Sequence, residues 1–127
     1  MNLLLDTHVL LWCFDNDSRL GKITRTAITD GHNQVFVSAA SLWEISIKKQ
    51  TGKLSAPDDV KSELDALRFE TFPINHQHAQ RVYHIPLIHK DPFDRMLIAQ
   101  ALCENFTLVT QDQAILQYDC RLLNAKE

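Results

Sequence analysis

Three short apolar runs, each passing directly into a helical pattern, constrain this chain more than any other feature. NLLL ends at Asp6 and gives way to helical spacing from Thr7 to Phe14. Gln34 to Val37 precedes a helix from about Ala39 to Thr51, with Gly52 at its expected end, and Thr107 to Val109 precedes a short helix from about Gln113. Uninterrupted apolar strands belong to sheets covered on both faces, and strands that alternate with helices must pair in parallel. The intervening sequence predicts a charged helix near Asp58 to Leu67, a short strand at Phe69 to Phe72, and helices at His76 to Tyr83 and Phe93 to Glu104, punctuated by Pro73 and Pro86. The expected fold is therefore α/β, a single domain over residues 1–127 with a doubly wound, mainly parallel sheet and helices on both faces. No internal repeat and no linker interrupts it.

Parallel strands in such a sheet aim their carboxyl ends at one edge, where ligands bind. Acids that follow strands must then converge. Asp6 follows the first strand, Asp112 follows TLVT, and Glu44 lies in the early turns of the helix after the second. The helix from Phe93 runs back against the strands, so Asp91 and Asp94 open at the same edge. Each acid also has a plain structural role available. Asp91 before Pro92 is a good N-cap, Asp94 would sit at N3, and Asp6 and Asp112 can cap the helices after them. Ser41 and Glu44 fit a capping box, although Ser38 is an equal candidate for the cap, and Glu44 can pair with Lys48 four residues on.

Helical position favours a site. Asp94 shares a face with Leu97, Ile98 and Ala101, and Glu44 lies between Ala40 and Ile47, so both carboxylates point along apolar sides. A carboxylate there is costly unless paired or bound to a cation, and no lysine or arginine occupies a matching position after a strand. Several such acids at one edge suit a hard metal, Mg²⁺ or Mn²⁺, which takes oxygen ligands and keeps several waters. On this reading Asp91 mainly starts its helix and Asp94 is a ligand. His89 abuts the cluster and can contact a phosphate or support a ligand.

Other chemistries fit poorly. Six histidines are present, but none forms an i, i+4 pair with an adjacent acid as zinc hydrolases require. Three unclustered glycines exclude a phosphate-binding loop, and no G-x-S-x-G elbow occurs. Cys13, Cys103 and Cys120 sit among apolar neighbours and read as reduced core thiols. The net charge of −3 argues against a nucleic-acid partner at first sight. If the five clustered acids are neutralised by metal, 11 of 16 acids remain against 13 Lys and Arg, and the rest of the surface is mildly basic. Lys48, Lys49 and Lys53 can line a backbone-binding groove or simply complement the helix dipole. Trp12, Trp43 and Phe93 could stack on bases, but core packing is the expectation for each. The apolar runs are too short to span a bilayer and nothing resembles a signal peptide, so the cytoplasm is the expected address.

Four segments, LLDTHVLLW, VSAASLWEISIKKQTGKL, HKDPFDRMLIAQA and LVTQDQAI, resemble in order those of PIN-domain proteins, and among these most the VapC-type toxins of bacterial toxin–antitoxin pairs. The resemblance runs from Leu3 to about Ile115. It implies a metal-dependent endoribonuclease cutting RNA, commonly tRNA, to leave 5′-phosphates, held inactive by a cognate antitoxin protein and assembled as a homodimer. It places the catalytic and metal-binding acids at Asp6, Glu44, Asp94 and Asp112, with Asp91 in the signature before the third of them. The Thr two positions before the last acid is present as Thr110, while Gln111 stands where Arg or Asn is frequent. Leu10 and Trp12 on the first helix are candidates for the dimer contact. A receiver-like signalling domain would need two adjacent acids after the first strand, and only Asp6 is there. A PIN domain that binds without cutting would be expected to lack some of the acids, and all four positions are filled.

Overall fold

A computed structural model describes every residue from Met1 to Glu127. Its elements are β1 (Asn2–Leu5), α1 (Thr7–Asp15), α2 (Lys22–Thr29), β2 (Gln34–Ser38), α3 (Ala39–Gln50), α4 (Val60–Ala66), β3 (Glu70–Phe72), α5 (His76–Arg81), α6 (Pro92–Glu104), β4 (Thr107–Thr110) and β5 (Leu122–Asn124). Single 3₁₀ turns follow α5 at Val82–His84 and β4 at Ile115–Gln117. The five strands form one sheet in the order β3-β2-β1-β4-β5, and every pair is parallel. The chain winds outward from β1 to β3, then returns to the other side of β1 with β4. The switch point lies between β1 and β4, so a crevice opens where their carboxyl ends diverge.

Both sheet faces are buried, as the unbroken apolar strands require. Leu3 and Leu5 point to one side and pack with Val9, Leu10, Val35, Val37 and Ile45, whereas Leu4 points to the other with Leu97, Ile98, Ala101, Leu108 and Ile115. Each such leucine contributes about 1.5–3 kcal/mol by leaving water. The α/β architecture, the parallel sheet and its two helical layers match the expectation from sequence.

Two elements were not expected. α2 reads KITRTAIT, dominated by β-branched residues of modest helix propensity, and its N-cap Gly21 supplies no side-chain bond. Its support is tertiary. Ile23 and Thr24 donate their amides to the Glu127 carbonyl at 2.8 and 3.3 Å, and Gly21 donates to Ala125 at 2.8 Å. A Cβ on Gly21 would lie 2.1 Å from the Glu127 carbonyl carbon, so only glycine lets Glu127 seat against the start of α2. β5, three residues long, completes the edge beside β4. The helix expected from Gln113 is only a 3₁₀ turn, since Tyr118 already returns to extended backbone.

Cys13, Cys103 and Cys120 are unpaired but only half-buried. Cys13 and Cys120 pack against the two core clusters, and burial pushes the Cys13 thiol up to about 11. Cys103 lies outside both, which corrects the expectation of three core thiols. The proposed dimer contact through Leu10 and Trp12 is also corrected, because both are buried in the first core cluster and neither is available to a second chain.

Candidate active site

Asp6 closes β1 at the switch point, where its amide donates to the Val109 carbonyl at 3.0 Å. Its side chain caps α1, with Oδ1 accepting from the Val9 amide at 2.8 Å, while Oδ2 takes a short hydrogen bond from the Thr110 hydroxyl. Burial pushes this carboxyl up from the ordinary range, Thr110 and the Val9 amide pull against that, and Asp112 adds to it. Thr110 also accepts from the Asp112 amide at 3.0 Å, so one hydroxyl links the acids after β1 and β4.

Asp112 spends Oδ1 on the amides of Ala114 and Ile115, at 2.8 and 3.1 Å, which starts the 3₁₀ turn. Asp91 caps α6 by accepting from the Asp94 amide at 3.0 Å, with Pro92 at the first helical position. Asp94 stands at N3 and hydrogen-bonds His89 Nε2 through Oδ2 at 2.7 Å; the same nitrogen is 3.9 Å from Asp112 Oδ2. Desolvation raises the Asp94 carboxyl to about 6, the His89 bond opposes the rise, and the charges of Asp91, Asp6 and Glu44 increase it.

Glu44 is 3% exposed, in the second turn of α3. Ser38 caps that helix, accepting from the Ala40 amide at 3.0 Å, so Ser41 is not the cap and its buried hydroxyl lacks a hydrogen-bond partner. The Thr7 hydroxyl donates to Glu44 Oε1 at 2.6 Å and the Lys48 ammonium holds Oε2. Lys48 thus pairs with Glu44 four residues before it, one of the roles weighed for this acid from sequence, with its side chain bent over the rim of the buried carboxylate.

The fold thus collects Asp6, Glu44, Asp91, Asp94 and Asp112 at the carboxyl edge. Within that group, His89, Asp94 and Asp112 each place one donor atom within 4.8 Å of the others. An imidazole and two carboxylates, with further carboxylates whose charge already destabilises the ionised Asp94, form a donor set that fits a divalent cation with a preference for oxygen. Sequence reasoning missed the supports. Thr7 is marked only by its place after Asp6. Arg95 is buried and donates to the carbonyls of Pro86 and Val82 at 3.0 Å and His89 at 3.2 Å, while Tyr118 accepts the His89 amide at 2.9 Å. Trp12 is in the core as expected, but Trp43 is 61% exposed and meets the half-buried Phe93 edge to face at 5.3 Å, on the rim beside Glu44 and Asp94.

The sequence matches the PIN domain over residues 3–119. The chain belongs to the PIN-domain family. No curated protein matches it significantly. Among solved structures, this PIN domain is similar to a chain of VapBC2 from Rickettsia felis bound to a DNA fragment from its promoter, with a TM-score of 0.73, 17% identity and 98% of each chain covered. A toxin–antitoxin complex from Klebsiella pneumoniae gives 0.69 at 16% identity, again over 98% of each chain. FitAcB from Neisseria gonorrhoeae gives 0.66 at 18%, over 97% of each. At such low identity these superpositions show a shared fold alone. PIN domains are generally nucleases and typically use divalent metals.

Proposed function

We propose that this PIN domain is a Mg²⁺- or Mn²⁺-dependent endoribonuclease, the toxin of a toxin–antitoxin pair. The observation that carries the reading is the crowding of carboxylates around Asp94 at the switch point, with its carboxyl raised to about 6. Asp6, Glu44, Asp94 and Asp112 would hold the metal, with His89, Asp91 and Thr110 in support. A bound divalent ion supplies an activated water and stabilises charge on the leaving 3′-oxygen. The chain's own groups prepare that chemistry. Thr110 fixes the Asp6 carboxylate, Thr7 fixes Glu44, and His89 Nε2 holds the Asp94 Oδ2 oxygen in place. Nothing in the cluster reads base edges, so target choice falls to the groove around it. A tRNA is the leading substrate class within RNA.

That the similar structures include VapBC2 and a toxin–antitoxin complex supports an antitoxin protein as partner. A homodimer and a cytoplasmic location complete the reading. No helix is long and apolar enough to cross a membrane.

The test is cleavage of end-labelled total RNA by purified protein with Mn²⁺ or Mg²⁺, against chelator and Asp94→Asn. Metal-dependent cuts that vanish in the variant are expected, and mapping them gives the target. Identical patterns from wild type and variant would assign the cuts to a contaminant and sink the reading. Metal-dependent stabilisation without cleavage of any RNA would leave a binding-only domain.

A further inference from the structure

Two buried side-chain polar atoms in this fold have no hydrogen-bond partner, Ser41 Oγ and Gln100 Oε1. Gln100 is otherwise anchored, since its Nε2 donates to the Pro73 carbonyl at 3.2 Å. Ser41 has no second polar atom, so its whole side chain is unsatisfied although the residue is fully buried. A hydroxyl in that state forfeits the hydrogen bonds that water gave it, a cost that a bound group can offset by supplying them.

The helix itself does not supply them, for a local reason. A hydroxyl within a helix ordinarily donates to the carbonyl four residues back, as Ser46 does to Leu42 at 3.0 Å and Thr51 to Ile47 at 3.2 Å. Four residues before Ser41 stands Val37, which is still extended in β2. The usual outlet is therefore missing at this position.

The same helix start brings the hydroxyl to the acid site. At about 100° per residue, Glu44 lies roughly 40°, Ser41 about 100° and Ile45 about 140° round α3 from Ala40. Ala40 packs into the core cluster on one face of the sheet and Ile45 into the cluster on the other. Ser41 and Glu44 thus share a polar seam between the two clusters. Leu5 is opposite Val37 in the sheet, so Asp6 and the first turn of α3 leave the carboxyl edge side by side. Within the seam the other groups are already committed: Glu44 to Thr7 and Lys48, and Asp6 to Val9 and Thr110. Ser41 alone is free.

We propose that Ser41 is a positioning residue of the acid site, its hydroxyl hydrogen-bonding a water in the hydration shell of the divalent cation held there. The inference rests on the metal reading of the cluster and adds to it a residue that carries no charge. Small, hard divalent ions keep several waters when carboxylates bind them, and a serine hydroxyl can accept from one of these while donating elsewhere.

The experiment needs no RNA. Uptake of Mn²⁺ is followed by loss of its free-ion paramagnetic resonance signal in wild type, Ser41→Ala, Ser46→Ala and Asp94→Asn, and urea unfolding of each in chelator separates metal affinity from the fold. Ser41→Ala should bind Mn²⁺ roughly 10- to 100-fold more weakly, as loss of an outer-sphere partner does. In chelator it should unfold at the same urea concentration as wild type or a higher one, because the hydroxyl removed has no partner in the metal-free fold. Ser46→Ala removes a hydroxyl already satisfied by its own helix and should match wild type in affinity, whereas Asp94→Asn should lose binding. A purely structural Ser41 predicts the opposite pair, lower stability in chelator with unchanged affinity, and that result would overturn the proposal. So would a loss of affinity equalled by Ser46→Ala. A wild type that takes up no Mn²⁺ would remove the metal reading itself; uptake that Ser41→Ala leaves unaltered would keep that reading and remove only the role of Ser41.

Discussion

α6 carries a histidine–carboxylate pair at each end, and the two behave in opposite ways. At its C-terminal end His78 Nε2 meets Glu104 at 2.8 Å, and at its N-terminal end His89 Nε2 meets Asp94 at 2.7 Å. Length does not distinguish them. His78 is fully buried and its other nitrogen accepts the Asn75 amide at 3.1 Å within a capping box, so Nε2 carries the proton donated to Glu104. Glu104 has no crowding acids in contact and reaches solvent along one side. Asp94 sits among Asp91, Asp6 and Glu44, and its ionised form is disfavoured by them and by burial. The first pair has both ring nitrogens of His78 hydrogen-bonded, no neighbouring acid crowds it, and it ties α5 to α6. The second is short of positive charge. A satisfied pair indicates structure, whereas an overcharged one indicates a missing cation.

Removing the two histidines should sharpen that contrast most. His78→Ala leaves a cavity where a fully buried ring stood and frees the Glu104 carboxylate and the Asn75 amide, and should cost about 3 kcal/mol in urea unfolding while metal-dependent cleavage survives in the folded fraction. His89→Ala should cost about 1 kcal/mol but lower cleavage roughly 10- to 100-fold, as loss of a group that orients a ligand does. If His89→Ala cleaves normally, the two pairs differ only in location.

Metal should act on one pair alone. With Mn²⁺ at 100 times its dissociation constant the wild type should gain about 2.7 kcal/mol in thermal or urea unfolding. Asp94→Asn should lose that gain and Glu104→Gln should keep it. Equal responses in both variants would remove the distinction.

The smallest expected effect concerns pH. The folded Asp94 carboxyl titrates near 6, above its ordinary 3.8, so its neutral form is the better tolerated. Metal-free protein should therefore be most stable below about pH 4 with respect to this group, losing on the order of 2 kcal/mol as pH rises through 6. Asp94→Asn should flatten that decline, measured by chemical unfolding in chelator. An unchanged profile would show that Asp94 is not the strained acid.

Much of this was legible in the chain. Apolar runs ending at Asp6 and Thr110 fixed the sheet edge, and the DPFD signature places Asp91 as a cap and Asp94 inward, because helix geometry is local. What the sequence hid is either tertiary or borderline. α2 depends on bonds from residues about 100 positions away, as Thr24 to the Asn124 carbonyl illustrates. The His78–Glu104 pair joins groups 26 residues apart, with no spacing to announce it. Trp43 looked like a core residue because an aromatic beside Ile45 suits either face, and Leu10 and Trp12 looked free for a partner because amphipathic spacing does not reveal how far the core extends. The burial of Arg95 had no precursor either, since arginine in a signature more often signals contact with a phosphate.

Arg95 has a mechanical consequence. Its guanidinium is rooted one residue after Asp94 and grips the carbonyls of Val82, Pro86 and His89. The loop that delivers the imidazole is thus bolted to the helix turn that delivers the carboxylate. Tolerance in their spacing is set within a short closed linkage, not by the alignment of distant strands. Drift in the sheet can carry Asp6 toward or away from this assembly, but His89 and Asp94 travel together as a single rigid jaw.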